Sequence, residues 1–185
     1  MNAQNKPVNK KAVKNLTASA VCLALCMLLP FLTGGIPQIG ARIAPMHIPV
    51  LLCGFIAGPY YAAIVGFIAP PLRFILFGMP PILPTGVAMS FELAVYGALS
   101  GLLYKMLPKK TINIYISLIG AMLAGRIVWG IVRFAMSALR IVPMPFTMEM
   151  FIAGAFVTAL PGIIIHIILI PLIVIALKRS NLLVE

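Results

Sequence analysis

The chain has 185 residues, of which 62% are hydrophobic and 9% charged, and its formal net charge is +11. Nearly uncharged stretches of about 20 residues follow one another, each long enough to cross a hydrocarbon core about 30 Å thick as a helix, which excludes a soluble domain. The basic residues flank these stretches instead of forming a stripe with interleaved aromatics, which excludes a nucleic-acid binder. Backbone amides in lipid need internal partners, and the period-2 alternation of barrel strands is missing, so the spans are expected to be helices.

Residues 1–11 form a polar, basic tail. The first span is expected over residues 12–32, ended by Pro30 and the Thr33-Gly34-Gly35 run. It is long for a signal peptide and lacks a cleavage pattern, so it reads as a retained span. The connection over residues 36–45 carries two prolines, Gly40 and Arg42. A short second span (46–57), the turn Gly58-Pro59 and a third span (60–77) follow, and Pro70 and Pro71 are expected to interrupt the third span just before Arg73. The proline-rich stretch 78–84 is expected to be stiff and non-helical. Span four is expected over 86–107 and span five over 112–139. A turn at Val142-Pro143-Met144-Pro145 leads to span six over 148–177. Residues 12–180 thus read as one transmembrane domain, closed by a tail over 181–185.

The expectation is an all-α membrane protein with six transmembrane helices and both termini on one side. The tails and the connection between spans four and five carry nine Lys or Arg, against Arg42 and Arg140 in the opposite connections. That imbalance makes both termini cytoplasmic.

The remaining charges then fall at mid-depth or in the outer half: Arg73 on span three, Glu92 on span four, Arg126 and Arg133 on span five. A charged group at the bilayer centre costs about 2.5–3.5 kcal/mol on insertion scales, so such groups face the bundle interior and find partners. Arg126, Trp129 and Arg133 are spaced i, i+3, i+7 along one stripe, which suits an anionic or aromatic solute. The structural alternative pairs Arg73 or Arg126 with Glu92 to lock the bundle, with Arg133 snorkelling outward. Three arginines exceed the one nearby acid, which favours a ligand. His47 opens span two, where it could bond a ligand or cap the helix. His166 is expected towards the middle or inner side of span six, away from the cluster, as a satisfied structural histidine. That difference in depth argues against a haem or metal held by both.

Cys22, Cys26 and Cys53 lie in or beside apolar runs and read as small hydrophobes, without a metal site. The chain has no aspartate and only three glutamates, which is thin for hydrolytic or metal chemistry, and no cofactor is expected. A phosphate-binding G-x-x-x-x-G-K-[ST] loop is absent, so the chain is not expected to hydrolyse ATP itself. Gly54 and Gly58, Ala62 and Gly66, Gly97 and Gly101, and Ala121 and Gly125 have small-xxx-small spacing and are expected mostly in internal packing. Ala20 and Ala24, in the inner half of span one, offer a flat face to another membrane protein.

The Ala20-x-x-x-Ala24 pair, the segment Met46-His47-Ile48-Pro49-Val50, the turn Gly58-Pro59, the Arg73…Phe77-Gly78-Met79-Pro80-Pro81 stretch and Gly125-Arg126-Ile127-Val128 are similar to the substrate-binding S-components of energy-coupling factor (ECF) transporters. The likeness covers about residues 12–180. It implies a six-helix, vitamin-binding subunit of the bacterial plasma membrane, with an outward-facing site. Residues 33–45 would form the lid, including Gly34, Gly35, Gly40 and Arg42. It further implies a transmembrane coupling subunit docked at Ala20 and Ala24, two cytoplasmic ATPase subunits, and a loaded subunit that topples to release substrate inward. The expected substrate-binding set is His47, Arg73, Glu92, Tyr96, Arg126, Trp129 and Arg133.

The excess of arginine favours a substrate with a carboxylate or phosphate, pantothenate first. α-Ribazole or a pyridoxine-like compound, stacked on Trp129 and Tyr96, is the alternative. Three rival classes stand beside this reading. A self-sufficient secondary transporter needs an internal repeat or an ion-coupling acid, for which only Glu92 qualifies. An intramembrane enzyme needs acids or histidines clustered at one depth. A membrane assembly protein without ligand predicts that Arg126 and Arg133 tolerate neutral polar replacement.

Overall fold

The structure, a computed structural model, describes residues 10–33 and 36–180; most of the expected N-terminal tail, residues 181–185, Gly34 and Gly35 lie outside the described residues. Helix α1 (Lys10–Leu28) runs on through a 3-10 turn, Leu29–Thr33, and is followed by α2 (Pro37–Ile43), α3 (His47–Ala57) and α4 (Pro59–Phe77). A wide π-type turn, Ile82–Gly86, leads into α5 (Val87–Met106), and α6 (Thr111–Ala138) follows. The last expected span is divided into α7 (Met148–Ile152), a second wide turn (Ala153–Val157) and α8 (Leu160–Arg179). No strand occurs among the described residues.

Five helical stretches are long and apolar enough to cross a membrane: Lys10–Leu32, Pro59–Phe77, Ile82–Met106, Thr111–Ala138 and Met148–Arg179. Helix α3 has 11 residues and rises about 16 Å, roughly half a hydrocarbon core. It is nevertheless the centre of the bundle, with all of its residues but Ile56 buried. Large apolar side chains such as Ile75, Ile131 and Leu172 stand exposed around the outside. A surface of that kind is matched to lipid, whose chains are as apolar as the side chains facing them.

Cross-helix contacts fix the directions. The Cys26 thiol donates to the Met46 carbonyl at 3.6 Å and Cys53 approaches the Ser19 hydroxyl at 3.7 Å, so α1 and α3 are antiparallel. The glycine at 58, with φ +92°, makes the tight return from α3 to α4 that other residues resist. Helices α4 and α5 pair antiparallel through Gly66 against Leu93 and Gly97 against Ala62. Lys178 at the end of α8 donates to the Lys109 carbonyl at 2.6 Å, in the connection between α5 and α6. Helices α1, α4 and α6 therefore run one way and α3, α5 and α8 the other. Lys10 and Arg179 lie at the same end as Lys105, Lys109 and Lys110. At this basic end, burial and the neighbouring ammonium groups of Lys178 and Lys105 hold Lys109 below the usual lysine range.

Close packing explains the small residues. A Cβ on Gly97 would stand 2.5 Å from the Ala62 carbonyl oxygen, and one on Gly101 would stand 2.7 Å from that of Gly54. The backbones of α4 and α3 thus lie directly on α5, an approach that only small residues permit.

Three sequence expectations change. Pro70 and Pro71 do not interrupt span three; α4 continues to Phe77. Their fixed φ suits a helix, and the bonds lost are those to the carbonyls of Gly66 and Phe67, where the chain has a glycine to relieve crowding. The connection over 36–45 is not open chain but contains α2, started by Pro37 and closed by Ala44 in the left-handed region with φ +49°. The sixth span is broken, because Pro161 has no N–H to bond back into the preceding turn. The wide turn closes with the Thr158 N–H on the Ala153 carbonyl at 2.8 Å.

Candidate binding cavity

A cavity of about 660 Å³ opens between the end of α1, α2, the start of α3, the end of α4, the start of α5 and the middle of α6. Its size is that of pockets which take small organic ligands. His47, Arg73, Glu92, Arg126 and Trp129 face it, and Ile36 and Gly40 cover it from the connection that holds α2. Five of the seven expected site residues therefore meet at one cavity.

Its polar centre is Glu92, which is 1% exposed. The Glu92 Oε1 atom lies 3.0 Å from Arg126 Nη1 and 3.6 Å from His47 Nε2. Helices α5 and α6 come close enough for this pair because Gly125 presents no Cβ to the Tyr96 ring. Tyr96, one turn beyond Glu92, is fully buried behind the cavity and meets the His47 ring edge-on at 5.3 Å. It supports the wall and does not line it.

His166 departs from expectation: its ring stacks on His47 at 6.0 Å with 19° between planes. The physical reason is that α2 folds Ala44, Pro45 and Met46 into the bundle, so α3 begins at mid-depth. Glu92, Arg126 and His166 stand about 20 Å from the basic ends of their helices and His47 about 15 Å, at 1.5 Å per residue. The two histidines therefore stand within about one helical turn of each other in depth, close enough for their rings to stack, and the argument from different depths does not hold. Among the described residues no group of three or more His, Cys, Asp or Glu is placed to hold a metal ion.

Arg73 occupies the other side of the cavity. It is buried, one guanidinium N–H donates to the Met27 carbonyl, and the group lies 5.0 Å from the Phe31 ring centre and 5.1 Å from that of Phe77. The two rings meet edge-to-face at 5.0 Å and bind the end of α1 to the end of α4. Arg73 has no carboxylate within ion-pair distance among the described residues.

The expected stripe on α6 divides at Trp129. Arg126 and Trp129 face the main cavity, whereas Arg133 lines a separate hollow of about 370 Å³ against the connection before α7. There its guanidinium lies 4.8 Å from the Phe146 ring centre and 5.8 Å from that of Trp129. Of the lid residues, Gly40 lines the cavity, while the Arg42 side chain is exposed and its carbonyl packs against Gly162 of α8. Ala20 and Ala24 are exposed on α1, while Ser19, Cys22 and Cys26 turn inward.

Sequence reasoning missed Phe31, Phe77, Met89, Gly154 and Thr158 as parts of the cavity. Phe77 lies one helical turn from Arg73 and was the detectable one. Gly154 and Thr158 reach the cavity through the break before Pro161, and only the pairing of α1 with α4 brings in Phe31.

A family model described as "ECF transporter, substrate-specific component" matches residues 14–174 of the chain. No curated protein and no solved structure matches it significantly.

Proposed function

This chain belongs to the substrate-specific components of ECF transporters, and on that premise we propose that it captures a water-soluble vitamin or vitamin precursor in the 660 Å³ cavity for ATP-driven uptake. Membership makes it a multi-pass membrane protein that binds a small molecule as part of a membrane-embedded transporter, rather than an enzyme. The observation that carries the finer reading is the cavity itself, in which buried charges from α4, α5 and α6 converge at one depth beside His47 of α3. Intramembrane charges so gathered mark a substrate path.

In this reading residues 12–180 form one transmembrane domain. Helix α3, extended by the chain that enters it from α2, makes the sixth crossing. Both termini are cytoplasmic, which the eight basic residues at one end of the bundle, counted among the described residues, support. His47, Arg73, Glu92, Arg126 and Trp129 hold the substrate, with Tyr96 behind His47. Arg133 stands in the neighbouring hollow, and the connection carrying α2 closes the cavity as a lid. Ala20 and Ala24 form the docking face for a transmembrane coupling subunit, itself driven by two ATPase subunits. Their exposure on α1 supports that assignment.

The test separates capture from uptake. Ala20→Trp with Ala24→Trp is expected to leave ligand binding by the purified protein unchanged while reducing cellular uptake to background. Normal uptake by this variant would remove α1 from the docking face.

A further inference from the structure

The geometry points to a substrate with one anionic group, a carboxylate or phosphate, held at the edge of Arg73 rather than at Arg126 or Arg133. This rests on the cavity being the substrate site and specifies the chemistry at one end of it.

The charge balance around the cavity is uneven. Two guanidinium groups, Arg73 and Arg126, and one carboxylate, Glu92, face it. Glu92 is engaged by Arg126 at 3.0 Å, with His47 beside the same oxygen. Arg126 is thus already compensated from within the protein. Among the described residues Arg73 has nothing comparable: the chain's other acids are Glu149 and Glu185. Glu149 is exposed in the first turn of α7 and makes no ion pair, and Glu185 lies outside the described residues. Arg73 nevertheless keeps only 7% of its surface exposed. A buried cation without a counter-ion is unfavourable, and an anionic ligand supplies the missing charge.

The surroundings of the guanidinium also select the direction of approach. A guanidinium has five N–H donors in one plane. Phe31 and Phe77 lie beside it and the Met27 carbonyl accepts one bond, while Arg73 also borders the cavity. The remaining donors suit the paired oxygens of a carboxylate or phosphate. Arg133 does not compete for this group, since it belongs to the separate hollow. With one uncompensated cation at the cavity, one anionic group is the match. The other end of the molecule reaches Glu92, His47 and Trp129, which suit hydroxyl or amide groups on a compact body. Anion binding at Arg73 would also steady Met27 and Phe31, the last turn of α1 before the chain that covers the cavity.

The experiment uses full-length protein in zwitterionic nanodiscs and a panel of vitamin-sized carboxylates and phosphate monoesters. Each acid is paired with its primary amide or its parent alcohol, and affinities are measured calorimetrically. One acid is expected to bind roughly ten- to a hundred-fold more tightly than its neutral partner, the range of a charge-assisted pair. Arg73→Gln should erase that difference, and continued measurable binding of the neutral compound shows that the variant is folded. Arg73→Lys should restore part of it. Whether the preferred ligand is a carboxylate or a phosphate ester follows from the panel. Equal binding of an acid and its neutral partner overturns the proposal and leaves the substrate-binding reading intact. Discrimination that persists in Arg73→Gln but disappears in Arg126→Gln overturns it in favour of Arg126. A wild-type protein that binds no member of the panel removes both the proposal and the substrate class.

Discussion

Glu92 sits inside the bundle with Arg126 at 3.0 Å on one side and His47 at 3.6 Å on the other. Removing a single partner from such a pair strands the other charge in a low-dielectric interior, which typically costs about 3–5 kcal/mol. Glu92→Gln is therefore expected to lower the melting temperature markedly in detergent. Arg126→Met in the same chain should recover most of that loss, because a well-packed apolar side chain replaces the stranded guanidinium. A double variant no more stable than Glu92→Gln alone would show that the ion pair does not govern this part of the fold. At this scale the sequence was informative, since the expense of charge in lipid makes Arg73, Glu92 and Arg126 conspicuous. It was less informative about partners. Arg126 and Arg133 share a helix face but stand about 10 Å apart along its axis, and Phe146, from a separate segment, takes the second one. The separation expected between His47 and His166 rests on a helix α3 that begins at the bundle end, whereas α3 begins at mid-depth beside His166.

Helix-to-helix spacing depends on where small residues meet backbone. On Gly97 a Cβ would meet the Ala62 carbonyl oxygen at 2.5 Å, whereas on Gly120 it would meet only the Leu103 Cδ1 atom at 3.1 Å. Carbonyl backbone cannot yield without separating α4 from α5, but the tip of a leucine can rotate. Gly97→Ala is accordingly expected to destabilise by about 1–3 kcal/mol through overpacking, and Gly120→Ala to stay within about 0.5 kcal/mol. Thermal unfolding of the two variants side by side checks this; equal melting temperatures would contradict the packing described. The elements themselves were largely legible: α3, α4, α5 and α6 begin and end within a residue of the expected spans. The departures come from proline, whose effect depends on context. Pro70 and Pro71 are absorbed inside α4 where Gly66 lies one turn back, Pro37 starts a helix, and Pro161 ends the continuity of the last span. Local sequence does not reveal which of these outcomes the packing around each proline will permit.

For the molecule as a whole, alternating helix directions bring Lys10, Lys109 and Arg179 to one end and place the polar centre about 20 Å from it. The cavity lies beyond that centre, towards the end where the chain carries few basic residues. Helix α1 leaves Ala20 and Ala24 exposed on the outside of the bundle, whereas the cavity lies in its interior. Such an arrangement lets a coupling subunit bind without filling the site. Composition indicated the membrane and the charge count indicated a common end for the termini, but no periodicity indicates that the chain after α2, Ala44 to Met46, dips into the bundle. That dip sets the height of His47 and gives the cavity its cover.

The most direct test is whether one small molecule occupies this cavity. Met89 lines it, and Met89→Trp should fill part of the space with an indole without altering the charged residues. Native mass spectrometry of protein released gently from its own membrane is expected to show one ligand per wild-type chain. It should show none on Met89→Trp at an unchanged melting temperature. A ligand retained at full occupancy by that folded variant would contradict the account and move the binding site elsewhere.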